Sequence, residues 1–176
     1  MDGMTFATLV IDLQQGLVQG AYQAEEVITN TNRVIAQTRQ GNGLVVFVQH
    51  CHSSFVPLMK GKPGWEIHPG LERRPEDTVI EKSASDAFYQ TQLLAFLNSH
   101  QVEHLWITGM QTEYCVDTTC RAALSHGFSV TLVSDAHTTG DGPMQAAKII
   151  SYHNNILTQL AHPDRRIAVQ PSTDLA

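Results

Sequence analysis

Three side chains in this sequence form a recognisable reaction set: the thiol of Cys115, the carboxyl of Asp12 and the ammonium of Lys82. Each lies at or beyond a short apolar run. Asp12 follows "LVI", Lys82 closes "TVIEK", and Cys115 comes shortly after "WITG". A thiol attacks a carbonyl carbon as its thiolate, and a free cysteine has a pKa near ~8.5. A neighbouring cation and a helix N-terminus both favour the thiolate. Lys82 offers the first, and a helix expected to begin at Cys115 offers the second. Asp12 can accept the thiol proton and return it to a leaving amine. Backbone N–H groups at the helix start can hold an oxyanion. Together these parts describe acyl transfer. Singly, each has a plainer use: cysteine packs in cores, aspartate after a strand forms caps and turns, and lysine is usually solvated. Spacing alone leaves both readings open.

The elements that must position these groups are legible as an alternation. Short apolar runs read as buried strands at 6–11, 44–49, 78–82, 103–109, 128–135 and 166–170. Helical spacing fits 25–40, 90–100, 115–126 and 143–161, with Pro143 at the start of the last. Strand–helix alternation with nearly continuous apolar strands predicts an α/β fold. The expected architecture is three-layer α/β/α, Rossmann-like, with a mainly parallel six-stranded sheet in one domain spanning 1–176. In such sheets sites form beyond the carboxyl ends of the strands, which is where the three groups fall. Residues 50–77 interrupt the rhythm as a long irregular segment. It carries Phe55, Trp65 and three histidines, so it is expected to be ordered and to wall a pocket.

Composition narrows the partners. The chain has 176 residues and a net charge of −6, with 42% apolar and 16% charged residues. No basic patch marks it for nucleic acid, and no apolar run is long enough to span a membrane. "MDGMTFATLVIDLQQG" reads as a first strand and not as a signal peptide. The three cysteines lack zinc-ribbon or redox spacing, which fits free thiols in a cytoplasmic protein. Cys120 shares a face with Val116, Ala123 and Leu124 and reads as core. Cys51 falls in the irregular segment.

"TLVIDLQQG", "VIEKSASDAFYQTQLLAFL" and "WITGMQTEYCVDTTCRAALSHGFSVTLVSDAHTT" together resemble the isochorismatase-like cysteine hydrolases, which include nicotinamidases. The last stretch is the most specific: G-x-x-T-x-x-C-V after a strand, then a helix and D-A-H. The resemblance implies a triad of Asp12 as base, Lys82 as cation and Cys115 as nucleophile. It also implies a cis peptide between Met110 and Gln111, with the N–H groups of Gln111 and Cys115 as the oxyanion hole. Some relatives that cleave a vinyl ether lack the cysteine. Its retention here favours hydrolysis of a small carboxamide through a thioester. The alternatives are another ester or vinyl-ether substrate of the isochorismate type, or a non-catalytic binding protein. Candidate substrate-binding residues are Gln14, His50, Phe55, Trp65 and Phe88. No cofactor is expected. Nicotinamidases hold a divalent metal through a D-x-H pair and a further histidine. Here His50 stands in place of that Asp, with His52 and His68 as the other candidates, so a metal is only the alternative reading and nicotinamide is disfavoured as substrate. Asp135 and His137 are expected to fix the loop after the fifth strand. The family implies a homo-oligomer, a dimer or larger.

Overall fold

Phe6–Ile11 (β1) is buried at every position, so it must be covered on both faces. The computed structural model, which describes residues 5–175, supplies both covers. Met1–Met4 and Ala176, and with them the start of the leader reading and the ends of the expected domain, lie outside the described residues. The remaining strands are Leu44–His50 (β2), Thr78–Lys82 (β3), His104–Met110 (β4), Ser129–Thr138 (β5) and Ile167–Gln170 (β6). They form one sheet in the order β3-β2-β1-β4-β5-β6. Every pairing is parallel, where the sequence predicted a mainly parallel sheet.

Alternate residues of β1 show how the layers form. Ala7, Leu9 and Ile11 pack with Leu93 and Leu97 of the helix Leu93–Ser99 (α3), with Cys120 and Leu124 of the helix Asp117–Ser125 (α4), and with Val116 just before it. Val10 faces the other way and packs with Val27, Ile28 and Ile35 of Ala24–Gln40 (α2). Period two in the strand thus sorts its side chains into two cores. Cys120 is fully buried in the first, as its helical face predicted. A short helix, Gln15–Val18 (α1), and a final helix, Ala146–Ile156 (α5), complete the set. None of the helices in the described residues is long and apolar enough to cross a membrane.

Several expected boundaries move, each for a local reason. The fourth strand reaches Met110, and the fifth runs on to Thr138 because Gly109 and Met110 pair with His137 and Thr138 past a register shift. The helix expected over 115–126 is two pieces: a π turn, Thr112–Val116, then α4 from Asp117. The helix expected over 90–100 starts at Leu93, because Gln90 is left-handed (φ 52°) and Thr91 Oγ1 accepts the Leu93 N–H. Pro143 does not open the last helix. Asp141 Oδ1 instead accepts the Ala146 N–H at 2.8 Å, and the segment after Ile156 tightens into a 3₁₀ turn, Leu157–Gln159. The irregular segment after β2 holds two single 3₁₀ turns, Val56–Leu58 and Pro63–Trp65.

Candidate active site

The strand order reverses between β1 and β4, and this switch point is where an open parallel sheet splays to admit a ligand. Asp12 follows β1 directly. Its backbone turns left-handed (φ 51°), its N–H bonds to Val48 O at 2.9 Å, and its carbonyl accepts the Gln14 N–H at 2.7 Å. Lys82 is the last residue of β3 and pairs in register with His50, the last of β2. Cys115 lies in the π turn just after β4. The Met110–Gln111 peptide entering that turn is cis. Gly109 sits before it at φ 124°, opposite Ile11 in the β1–β4 register.

Four groups meet at the switch point. Lys82 Nζ, wholly shielded from solvent, lies 2.7 Å from Asp12 Oδ2. It is also 3.2 Å from Cys115 Sγ, 2.8 Å from His50 Nδ1 and 2.9 Å from Ala84 O. An ammonium has three protons; they point to His50, Ala84 and Cys115, and the contact with Asp12 is an ion pair. Asp12 is buried, and neither of its oxygens receives a well-aligned hydrogen bond among the described residues. Its carboxylate therefore has lone pairs free to take a proton.

Burial holds the Asp12 carboxyl above the usual carboxylate range, and Lys82 pulls it only partly back. Burial also pushes the Cys115 thiol up to about 12, reinforced by the Asp12 charge and opposed by Lys82. The sequence offered two influences that favour the thiolate, Lys82 and a helix start, and Asp12 as acceptor of the thiol proton. In the folded site burial and the Asp12 charge act against the thiolate and outweigh Lys82. The balance favours a neutral thiol next to a base. A difference absorbance spectrum near ~240 nm, wild type minus Cys115→Ala, is expected to show no thiolate at pH 7 and a band appearing only in strong alkali. A full thiolate band at pH 7 contradicts this.

The supports of the site include residues that the sequence reading did not single out. Thr112, at the start of the π turn, hydrogen-bonds through Oγ1 to buried His137 Nδ1 at 2.9 Å. His137 Nε2 lies 2.9 Å from Asn154 Oδ1. A carbonyl oxygen only accepts, so Nε2 carries the proton and Nδ1 accepts from Thr112. Burial lowers the His137 pKa to about 4, which keeps the ring neutral. Asp135 accepts the Ser172 N–H and hydroxyl. Both residues brace structure around β5, as the sequence predicted. The Thr112–His137 link was foreshadowed by the threonine before the cysteine and by D-A-H; Asn154 had no comparable signal.

Gln14 belongs with these supports. Its amide donates to His50 O and Trp65 O, and its Oε1 accepts the His50 N–H at 2.9 Å. Gln49 donates to the same Trp65 carbonyl. Both amide ends of Gln14 are thus spent within the protein, holding β1, β2 and the irregular segment together. Phe88 is also a packing residue here: it is buried against Phe128 and His126. Phe55 is exposed and meets His52 edge-on, while Trp65 donates its indole N–H to Cys51 Sγ at 3.2 Å. The irregular segment does wall a cavity, of about 350 Å³, lined by Cys51, His52, Ser53, Lys60 and Ser83.

The three candidate metal-binding histidines are not brought together. His52 Nδ1 accepts the Ser54 and Phe55 N–H groups, His68 Nδ1 accepts that of Gly70, and His50 Nδ1 faces Lys82. Among the described residues, the group with ligand atoms close enough for one ion is Asp12, His50 and Cys115. Lys82 Nζ already sits against all three, so this donor set fits an ammonium better than a metal.

The fold and site define a parallel α/β protein with a thiol, a carboxyl and an ammonium at its switch point. Residues 6–162 match the family model described as the isochorismatase domain, and the chain belongs to that family. It is 36% identical over 140 residues to a streptothricin hydrolase of Streptomyces noursei, covering 78% of this chain but 51% of that protein. The chain thus spans about half the length of that relative. A ureidoacrylate amidohydrolase of Variovorax paradoxus is 26% identical over 81% of this chain and 73% of its own length. A solved structure of an isochorismatase family protein superposes with a TM-score of 0.81 at 34% identity, covering 92% of this chain and 96% of the other.

Proposed function

We propose that the protein is a cysteine hydrolase of small carboxamides that works through a thioester. The supporting observation is the contact of one buried ammonium with both Asp12 Oδ2 and Cys115 Sγ. The relatives named for hydrolysis of streptothricin and ureidoacrylate agree with it.

The course follows from the resting state. Asp12 takes the Cys115 proton as Sγ attacks the carboxamide carbon, so a free thiolate need not accumulate. The Lys82 ammonium offsets the negative charge while it resides on sulfur. The carbonyl oxygen becomes an oxyanion held by the N–H groups of Gln111 and Cys115. The C–N bond breaks, and the amine departs with the proton from Asp12. Water then attacks the thioester, giving one proton to Asp12. The carboxylic acid leaves, and that proton returns to sulfur. Side chains, backbone and water carry every step, without a cofactor.

Ammonia release from a panel of small amides tests the reading. Cys115→Ala is expected to lower turnover by roughly a thousandfold or more, as loss of a covalent nucleophile does. Turnover within tenfold of wild type in a folded variant would remove the proposal.

A further inference from the structure

His50 does more at this site than line it. Its backbone is fixed twice, by the β2–β3 ladder and by both ends of the Gln14 amide. Its ring is thereby held against the ammonium, with Nδ1 2.8 Å from Lys82 Nζ. An ammonium can only donate, so Nδ1 must be the acceptor, with its lone pair free of a proton. Burial, Lys82 and His52 all lower the His50 pKa, to about 4, so the ring is neutral at pH 7. A neutral imidazole with a bare Nδ1 carries its hydrogen on Nε2. That nitrogen makes no hydrogen bond among the described residues, and the side chain is 14% exposed.

We infer that His50 is a hydrogen-bond donor to the substrate through Nε2–H, with its tautomer set by Lys82, and that the site therefore selects amides bearing a second acceptor close to the reactive carbonyl. This rests on the proposed amide hydrolysis. A carboxylate at the same position would be repelled by such an acceptor; the imidazole attracts it. The substrate class is thus a carboxamide with a neighbouring carbonyl or carboxylate oxygen. Lys82 has a double part in this account: it steadies the charge of the reaction and sets the polarity of the residue that reads the substrate. Gln14 acts through His50 as a positioning residue.

Two readouts test the inference. Long-range ¹⁵N–¹H correlation spectra at pH 7, assigned by difference against His50→Leu, are expected to show the neutral Nε2–H form. An Nδ1–H form or an imidazolium overturns the inference, whatever the activity. In the second, kcat/KM for malonamide and oxamide is compared with that for propionamide, which lacks a second acceptor. The acceptor-bearing amides are expected to be preferred. His50→Leu is expected to lower that preference about tenfold, the ordinary worth of one hydrogen bond. His50→Gln, which can accept from Lys82 and still donate, is expected to restore part of it. An unaltered preference in His50→Leu, or no turnover of the acceptor-bearing amides by wild type, overturns the inference. The proposed hydrolysis fails separately, if Cys115→Ala keeps its ammonia release.

Discussion

Lys82→Ala is expected to lose both amide turnover and about 3–5 kcal/mol of stability, the usual result of stranding one member of a buried ion pair. The two losses have different causes and can be separated. Lys82 Nζ and Asp12 are both almost wholly buried, 2.7 Å apart. Without the ammonium, the Asp12 carboxylate faces a desolvated site with no opposite charge, and its pKa, already raised by burial, climbs further. An acid whose folded-state pKa lies above its unfolded value stabilises the fold below the unfolded pKa, and that contribution is lost as pH rises through the folded pKa. Urea unfolding of Lys82→Ala should therefore show greater stability near pH 4 than near pH 7, relative to wild type. The double variant Asp12→Asn/Lys82→Met removes both charges. It should regain most of the stability at pH 7 and none of the turnover. A Lys82→Ala protein as stable as wild type at pH 7 would contradict the buried pair.

Gly109→Ala is expected to be the most damaging backbone change, at about 4 kcal/mol or more. Gly109 has φ 124°, where side chains are rarely tolerated, and a Cβ there would lie 2.0 Å from the carbonyl oxygen of Ile11. That carbonyl belongs to β1 immediately before Asp12, so relief of the clash separates the two strands that carry base and nucleophile. Activity should fall with stability. Gly127→Ala is the control: it also has positive φ, but nothing lies within 4 Å of an added Cβ. It is expected to cost only about 1 kcal/mol, for the left-handed backbone alone. Thermal unfolding of the two variants side by side measures the difference; equal losses would mean that the close β1–β4 approach is unimportant.

The sequence made some parts of this arrangement legible and hid others. The buried strands were readable because both faces of a parallel sheet are covered, which leaves apolar runs such as "LVVFVQ". Asp12, Lys82 and Cys115 were readable because each lies at or just beyond a strand end, and the fold gathers those ends. The π turn was not, since helical periodicity does not register one widened turn. Gln14 was a candidate for contact with substrate. Only contacts distant in the chain, to His50 and Trp65, show that its amide is occupied. The strength of burial at the Cys115 thiol was hidden for a related reason. Sequence shows which charges are present, but it does not show how far the fold desolvates the thiol between Asp12 and Lys82.

The central claim is that Cys115 forms a covalent acyl intermediate, with Asp12 as its proton acceptor. Its most direct test is acid quenching within the first turnover of an amide selected from the panel, followed by mass spectrometry of the digested protein. The account predicts the acyl mass on the peptide carrying Cys115, with Cys51 and Cys120 unmodified. A Cys115 peptide that stays unmodified at every quench time while product accumulates would contradict it.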